Sequence, residues 1–172
     1  VFVYGIDNNA IGGTGTGDGN LISGNDDHGV LILGGGAGNR IEGNLIGTNA
    51  AGTAALANTP HGVYVSNSPG NTIGGTATDA GNVISGNVQY GVWIFGDPST
   101  GNVVEGNFIG TDSSGTLDLG NGRYGVVVSN GADNRIGGAV PGDCQISPSG
   151  SGWVGIMIAD GDLLMPSFDF IG

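Results

Sequence analysis

Residues 91–111 read GVWIFGDPSTGNVVEGNFIGT, three short runs (GVWIF, NVVEG and NFIGT) set apart by Gly, Asp, Pro, Ser and Asn. Apolar residues alternate within each run, the period of a half-buried β-strand. Nothing in the stretch has the 3.6-residue period of an amphipathic helix.

The three-run unit recurs. NAIGG at Asn9 returns as NTIGG at Asn71 and NRIGG at Asn134, offsets of 62 and 63 residues. NLISGN at Asn20 returns as NVISGN at Asn82, and NRIEGN at Asn39 as NVVEGN at Asn102. Two similar units fill each long period, opening on Gly-Val at Gly29, Gly62, Gly91 and Gly125, with Gly155-Ile156 starting a further one. Val1–Tyr4 aligns with Val63–Ser66, so the chain is expected to start inside a coil, as a mature or truncated piece of something longer.

A unit of about 30 residues with three short alternating runs cannot bury an apolar face alone; stacking copies at about 4.8 Å per step does so. The expected fold is all-β, a right-handed parallel β-helix (a solenoid) of about six coils with three short strands each. A propeller blade needs four antiparallel strands in a longer repeat. Aligned columns give the core: Val30, Val63, Val92, Val126 and Ile156; Ile32, Val65, Ile94, Val128 and Ile158; Ile11, Ile41, Ile73, Val104 and Ile136; and Ile22, Ile46, Ile84, Ile109 and Ile146. Asparagine aligns too, at Asn9, Asn39, Asn71, Asn102 and Asn134 and at Asn20, Asn44, Asn82 and Asn107. A side-chain amide both donates and accepts, so identical neighbours form a ladder.

The pattern divides the chain into repeat coils over 1–140 and a degenerate last coil with a C-terminal cap or tail over 141–172. Solenoids need an atypical end to shield the last layer, and Leu163, Leu164, Met165, Phe168 and Phe170 are candidates for it.

The units GNVISGN, GVWIFG, GNVVEGNFIGT and NTIGG resemble the right-handed parallel β-helix repeats, of pectin-lyase-like fold, found in secreted and surface bacterial proteins. The resemblance covers about Val1 to Gly138 and implies a fold that hosts lyases, glycoside hydrolases, adhesins and inert stalks. It implies no single activity. Polygalacturonase-like enzymes of this fold use an Asp pair and a Gly-His-Gly element on separate strands. Here Asn25-Asp26-Asp27-His28-Gly29 lies in one turn, there is no lysine for the Arg-x-Lys element, and the Arg motif of pectate lyases is missing.

Composition narrows the functions further. Glycine is 39 of 172 residues while 38% are hydrophobic, which fits many tight turns in a folded chain and not a linker. Three arginines, no lysine and 15 acids give a net charge of −12, which repels phosphate backbones and argues against nucleic acid. No apolar run reaches the length of a membrane span. Cys144 is the only cysteine, so no intramolecular disulfide forms, and with two histidines a zinc site is not expected. Low charge and abundant Gly, Asn and Thr point to an extracellular or cell-surface setting.

Outward positions hold the functional candidates. The first run presents Phe2, Leu31, Tyr64, Trp93, Val127 and Met157, and two residues on Tyr4, Leu33 and Phe95. A solvated strand face is polar, so this apolar stripe is expected to be a subunit interface or a contact with a missing segment, a sugar-stacking platform built on Tyr64, Trp93 and Phe95, or a face covered by the chain's own C-terminal tail. In the second run Gly12, Glu42, Gly74, Glu105 and Gly137 share a column. Glu42 and Glu105 are the only glutamates, expected on one face two coils apart, a spacing within reach of an acid–base pair. The bland alternative is a solvated strand residue copied with the repeat. Arg40 and Arg135, in the column before, are candidate ligands for sugar hydroxyls or carboxylates. His28 aligns with His61, Tyr90 and Tyr124 before each Gly-Val and reads as a turn residue. No metal site or cofactor is expected; the loop Asp112–Asp118 offers oxygen ligands acceptable to Ca²⁺ through Asp112 and Asp118, without matching the twelve-residue calcium loop.

These observations give an expected function: an extracellular β-helix scaffold, a homo-oligomer associating through its aromatic stripe and related to carbohydrate. The alternatives are a polysaccharide-degrading glycoside hydrolase using Glu42 and Glu105, favoured over a polysaccharide lyase, and a non-catalytic glycan-binding module.

Overall fold

The computed structural model describes residues 1–138 continuously, and beyond them the strands 145–146, 156–159, 163–164 and 169–170. The first turn consists of β1 (Phe2–Tyr4), β2 (Ala10–Gly12) and β3 (Leu21–Ile22). The second consists of β4 (Val30–Leu33), β5 (Arg40–Glu42) and β6 (Leu45–Ile46). The third has β7 (Val63–Ser66), β8 (Thr72–Gly74) and β9 (Val83–Ile84), and the fourth β10 (Tyr90–Phe95), β11 (Val103–Glu105) and β12 (Phe108–Ile109). Then follow β13 (Tyr124–Ser129), β14 (Asn134–Ile136), β15 (Gln145–Ile146), β16 (Ile156–Ala159), β17 (Leu163–Leu164) and β18 (Asp169–Phe170). No strand pairs with its neighbour in sequence. Each pairs in parallel with its counterpart one turn away, giving three six-stranded sheets, β1-β4-β7-β10-β13-β16 (sheet A), β2-β5-β8-β11-β14-β17 (sheet B) and β3-β6-β9-β12-β15-β18 (sheet C).

The protein is therefore a parallel β-solenoid, and its register is the one the aligned columns demand. Val92 pairs with Val63 and Val126, Ile94 with Val65 and Val128, Val104 with Ile73 and Ile136, and Ile109 with Ile84 and Ile146. Four complete turns lie in the continuously described stretch, and the remaining strands extend every sheet beyond them. The expected cap residues Met165 and Phe168 lie outside the described residues. Ile32, Ile41, Ile46, Ile73, Ile84, Ile94, Ile109 and Ile136 are fully buried, each worth about 1.5–3 kcal/mol of apolar transfer.

Polar ladders run beside this core. Both the backbone N–H and Nδ2 of Asn9 donate to Asn39 Oδ1, those of Asn39 to Asn71, those of Asn71 to Asn102 and those of Asn102 to Asn134. Asn20, Asn44, Asn82 and Asn107 repeat the arrangement. A third ladder, Asn25, Asn58, Asn87 and Asn121, was not visible as a sequence column. In every pair Oδ1 receives two donors from the preceding turn, so the ladders have one polarity along the axis.

Turns alternate between long and short corners, which is why the clearest sequence period spans two of them. Sheet B runs into long loops after β2 and β8 but into a Gly-Asn corner after β5 and β11. Gly74 ends β8 at φ +84°, and a Cβ there would lie 2.0 Å from the Glu105 carbonyl oxygen, so this turn requires glycine. The sheet C–sheet A corner likewise carries hairpins at 48–55 and 111–118, closed by antiparallel bridges and joined by the Ser113 N–H donating to Gly52 O.

The ladder geometry predicts unequal costs for the same substitution. Asn71→Ala strands the backbone and Nδ2 donors of Asn39 in a buried site and removes one of the two donors to Asn102 Oδ1, and is expected to cost about 3 kcal/mol in urea unfolding. Asn9→Ala, at the open end of the same ladder, should cost about 1 kcal/mol or less. Equal costs would refute the ladder's role.

Candidate functional site

Two outward faces carry the chemistry. On sheet A, adjacent columns are filled by rings. The column before Gly-Val stacks His28 on His61 (centroids 5.0 Å apart, 17° between planes) and His61 on Tyr90 (4.5 Å, 7°), with Tyr124 beyond at 5.6 Å. The strand column stacks Tyr64 on Trp93 (4.6 Å, 18°), and Phe95 leans on Trp93 at 5.3 Å. The two columns interlock edge to face, His61 and Tyr90 both standing nearly perpendicular to Trp93. Parallel pairing forces this: residues in register sit about 4.8 Å apart, close to ring-stacking distance.

The stacking changes what the stripe offers. Tyr64 lies between Leu31 and Trp93, and Trp93 between Tyr64 and Val127, so their faces are turned along the axis and their edges outward. A sugar platform presents a free ring face, and neither ring has one directed away from the sheet. Leu31, Leu33, Tyr64, Trp93 and Phe95 are half-buried against one another, Val127 is fully buried, and Phe2 and Tyr4 are the exposed members. The Trp93 indole N–H donates to Ser129 Oγ at 3.4 Å.

His61 is the unexpected centre of the face. The sequence column gives its position, shared with His28, but not its surroundings, because its ring partners belong to other turns. His61 is 2% exposed, and Nδ1 accepts the Tyr90 N–H at 3.3 Å. Burial, then the neighbouring His28 and Arg123, lower its pKa to about 4. Burial also lowers that of His28, partly offset by Asp27, whose Oδ1 is 3.7 Å from His28 Nε2.

On sheet B, Glu105 lies in register with Gly74, and Gly12 with Glu42, as the column requires. Each carboxylate is held by the arginine two residues away or one turn on. Arg40 Nη2 and Nε donate to Glu42 Oε1, and Arg135 Nη1 contacts Glu105 Oε2 at 2.7 Å while donating to Gly137 O. Glu42 is buried under the long loop after β8: a Cβ on Gly75 would stand 3.7 Å from its Oε1. Gly74 is thus present for the turn it makes, and the two glutamates form separate arginine clamps.

The Asp112–Asp118 loop uses its oxygens internally. Asp112 Oδ1 accepts from Thr116 N, Leu117 N and Ser114 Oγ, and Asp118 Oδ1 from Gly120 N. The donors aimed at Asp112, the Leu117 N–H foremost, lower its pKa. The described residues contain no group of three or more His, Cys, Asp or Glu arranged to hold a metal. Among them, no helix is long and apolar enough to cross a membrane.

Comparison with family models, curated proteins and solved structures gave no match for this chain.

The clamps are expected to matter for stability. Glu105→Gln should lower the unfolding free energy by about 1–2 kcal/mol, with Arg135→Gln similar and the double variant less than additive by urea denaturation. Strict additivity would show that the contact contributes nothing.

Proposed function

We propose that this protein is a repeat scaffold, secreted or displayed at a cell surface, whose sheet A face binds a second copy of itself. The observation that carries the reading is the outward stripe of Leu31, Leu33, Tyr64, Trp93 and Phe95, which continues into exposed Phe2 and Tyr4. Apolar strips on a sheet's solvent side mark contacts, and rings locked by stacking lose little side-chain entropy when covered. A flat, self-similar face of this kind also suits a two-fold interface, in which the same patch serves both partners. The acidic composition, without lysine, supports the extracellular setting.

A glycoside hydrolase using Glu42 and Glu105, with Arg40 and Arg135 on the sugar, is the second reading. Its support is the shared outward column on sheet B; the arginine clamps weigh against it, since both carboxylates are engaged. A non-catalytic glycan-binding module through Tyr64 and Trp93 would need a ring face that the stacking consumes.

In multi-angle light scattering at micromolar concentration the protein is expected to run as a dimer, and Trp93→Ser to weaken association at least about tenfold. A monomer unaffected by Trp93→Ser would remove the scaffold reading. Polysaccharide hydrolysis lost in both Glu42→Gln and Glu105→Gln would install the hydrolase in its place.

A further inference from the structure

The ring column holds two imidazoles where later turns hold Tyr90 and Tyr124. Unlike the tyrosines in the same column, the histidines carry ring nitrogens that can accept a backbone N–H, as His61 Nδ1 does from Tyr90, and can take up a proton. We propose that His61 is an acid-operated latch: on gaining a proton it leaves its place between His28 and Tyr90 and loosens the aromatic face of sheet A.

The geometry makes the charged form incompatible with the closed face. Neutral His61 accepts the Tyr90 N–H at Nδ1, so its own proton sits on Nε2. A second proton falls on Nδ1 and points at the Tyr90 donor, turning an attraction into a donor–donor clash. The groups packed around the ring offer no relief. Above it lies His28, whose Nε2 faces Asp27; below it Tyr90; at its edges Tyr64 and Trp93. The charge that reaches it from two turns on is that of Arg123, of the wrong sign. Asp27, the nearest carboxylate in this group, is committed to His28, and no hydrogen bond joins His61 to an acid among the described residues.

The backbone beside the ring cannot follow it. Gly29 N donates to His61 O and Gly62 N to Tyr90 O, each at 3.0 Å, which ties residue 61 to the turns above and below. The ring therefore leaves by side-chain rotation, and the gap it leaves borders Tyr64, Tyr90 and Trp93. The direction follows from linkage: the folded state disfavours the proton, so the closed face is fully favoured above pH 6.5 and loses that advantage as pH falls toward 4. The latch does not depend on whether the face binds a second copy.

The chain has two histidines, so an NMR titration resolves both, with His28→Tyr assigning them. The expected result is a His61 Hε1 midpoint well below 6.5, between that value and the about 4 of the closed ring, with the Trp93 indole N–H moving at the same midpoint and reversibly. In His61→Tyr, which copies the later turns, the Trp93 shift should vanish. A His61 midpoint near 6.5 overturns the proposal, as does a Trp93 signal that ignores His61 or moves unchanged in His61→Tyr. The wild-type titration decides the matter even if His61→Tyr does not fold.

Discussion

Identity between neighbouring turns is the constraint on which this molecule depends. A parallel rung places each residue above its counterpart at about 4.8 Å, so every buried group must be satisfied by a copy of itself. Aliphatic side chains meet the demand by packing. Asparagine meets it by donating to one neighbour and accepting from the other. Because an unpaired buried amide costs more than the bond contributes on balance, a ladder cannot be interrupted cheaply. The end residues show the same rule from the other side: Ile11 and Ile22, in the first turn, keep 8% and 7% exposure while their inner counterparts have none.

The same rule acts on the outer face, where it has consequences for function. Aromatic residues in register must stack, and stacking spends the ring faces inside the protein. The sheet A stripe therefore shows edges and half-buried flanks, a surface suited to another flat protein face more than to a sugar ring. It also places His61 in a slot shaped for a neutral ring. On sheet B the identity rule is relaxed: glutamate and glycine alternate along one column, and each glutamate is met by an arginine.

The core was legible in the sequence because its periodicity survives at single positions: Val92 announces Val63 and Val126 without any knowledge of the loops. The first two asparagine ladders were legible for the same reason, each residue preceding a recognisable strand. The Asn25–Asn121 ladder was not, because hairpins inserted at 48–55 and 111–118 change the sequence around Asn58 and Asn121 and break the motif. The Glu42 and Glu105 column was also correctly placed, yet its meaning depended on features a column cannot show. These are the positive φ of Gly74, the loop over Glu42 and the arginine at each carboxylate. For His61, alignment gave the position and missed the environment, since the rings enclosing it come from neighbouring turns.

Side-chain amide hydrogen exchange measures the ladders directly. The Nδ2 protons of Asn71, Asn82, Asn87 and Asn102 are expected to exchange orders of magnitude more slowly than those of Asn9, Asn20 and Asn25, approaching the rate of global unfolding. Fast exchange at the interior asparagines, equal to that of the first turn, would contradict the claim that turn-to-turn amide pairing holds the solenoid together.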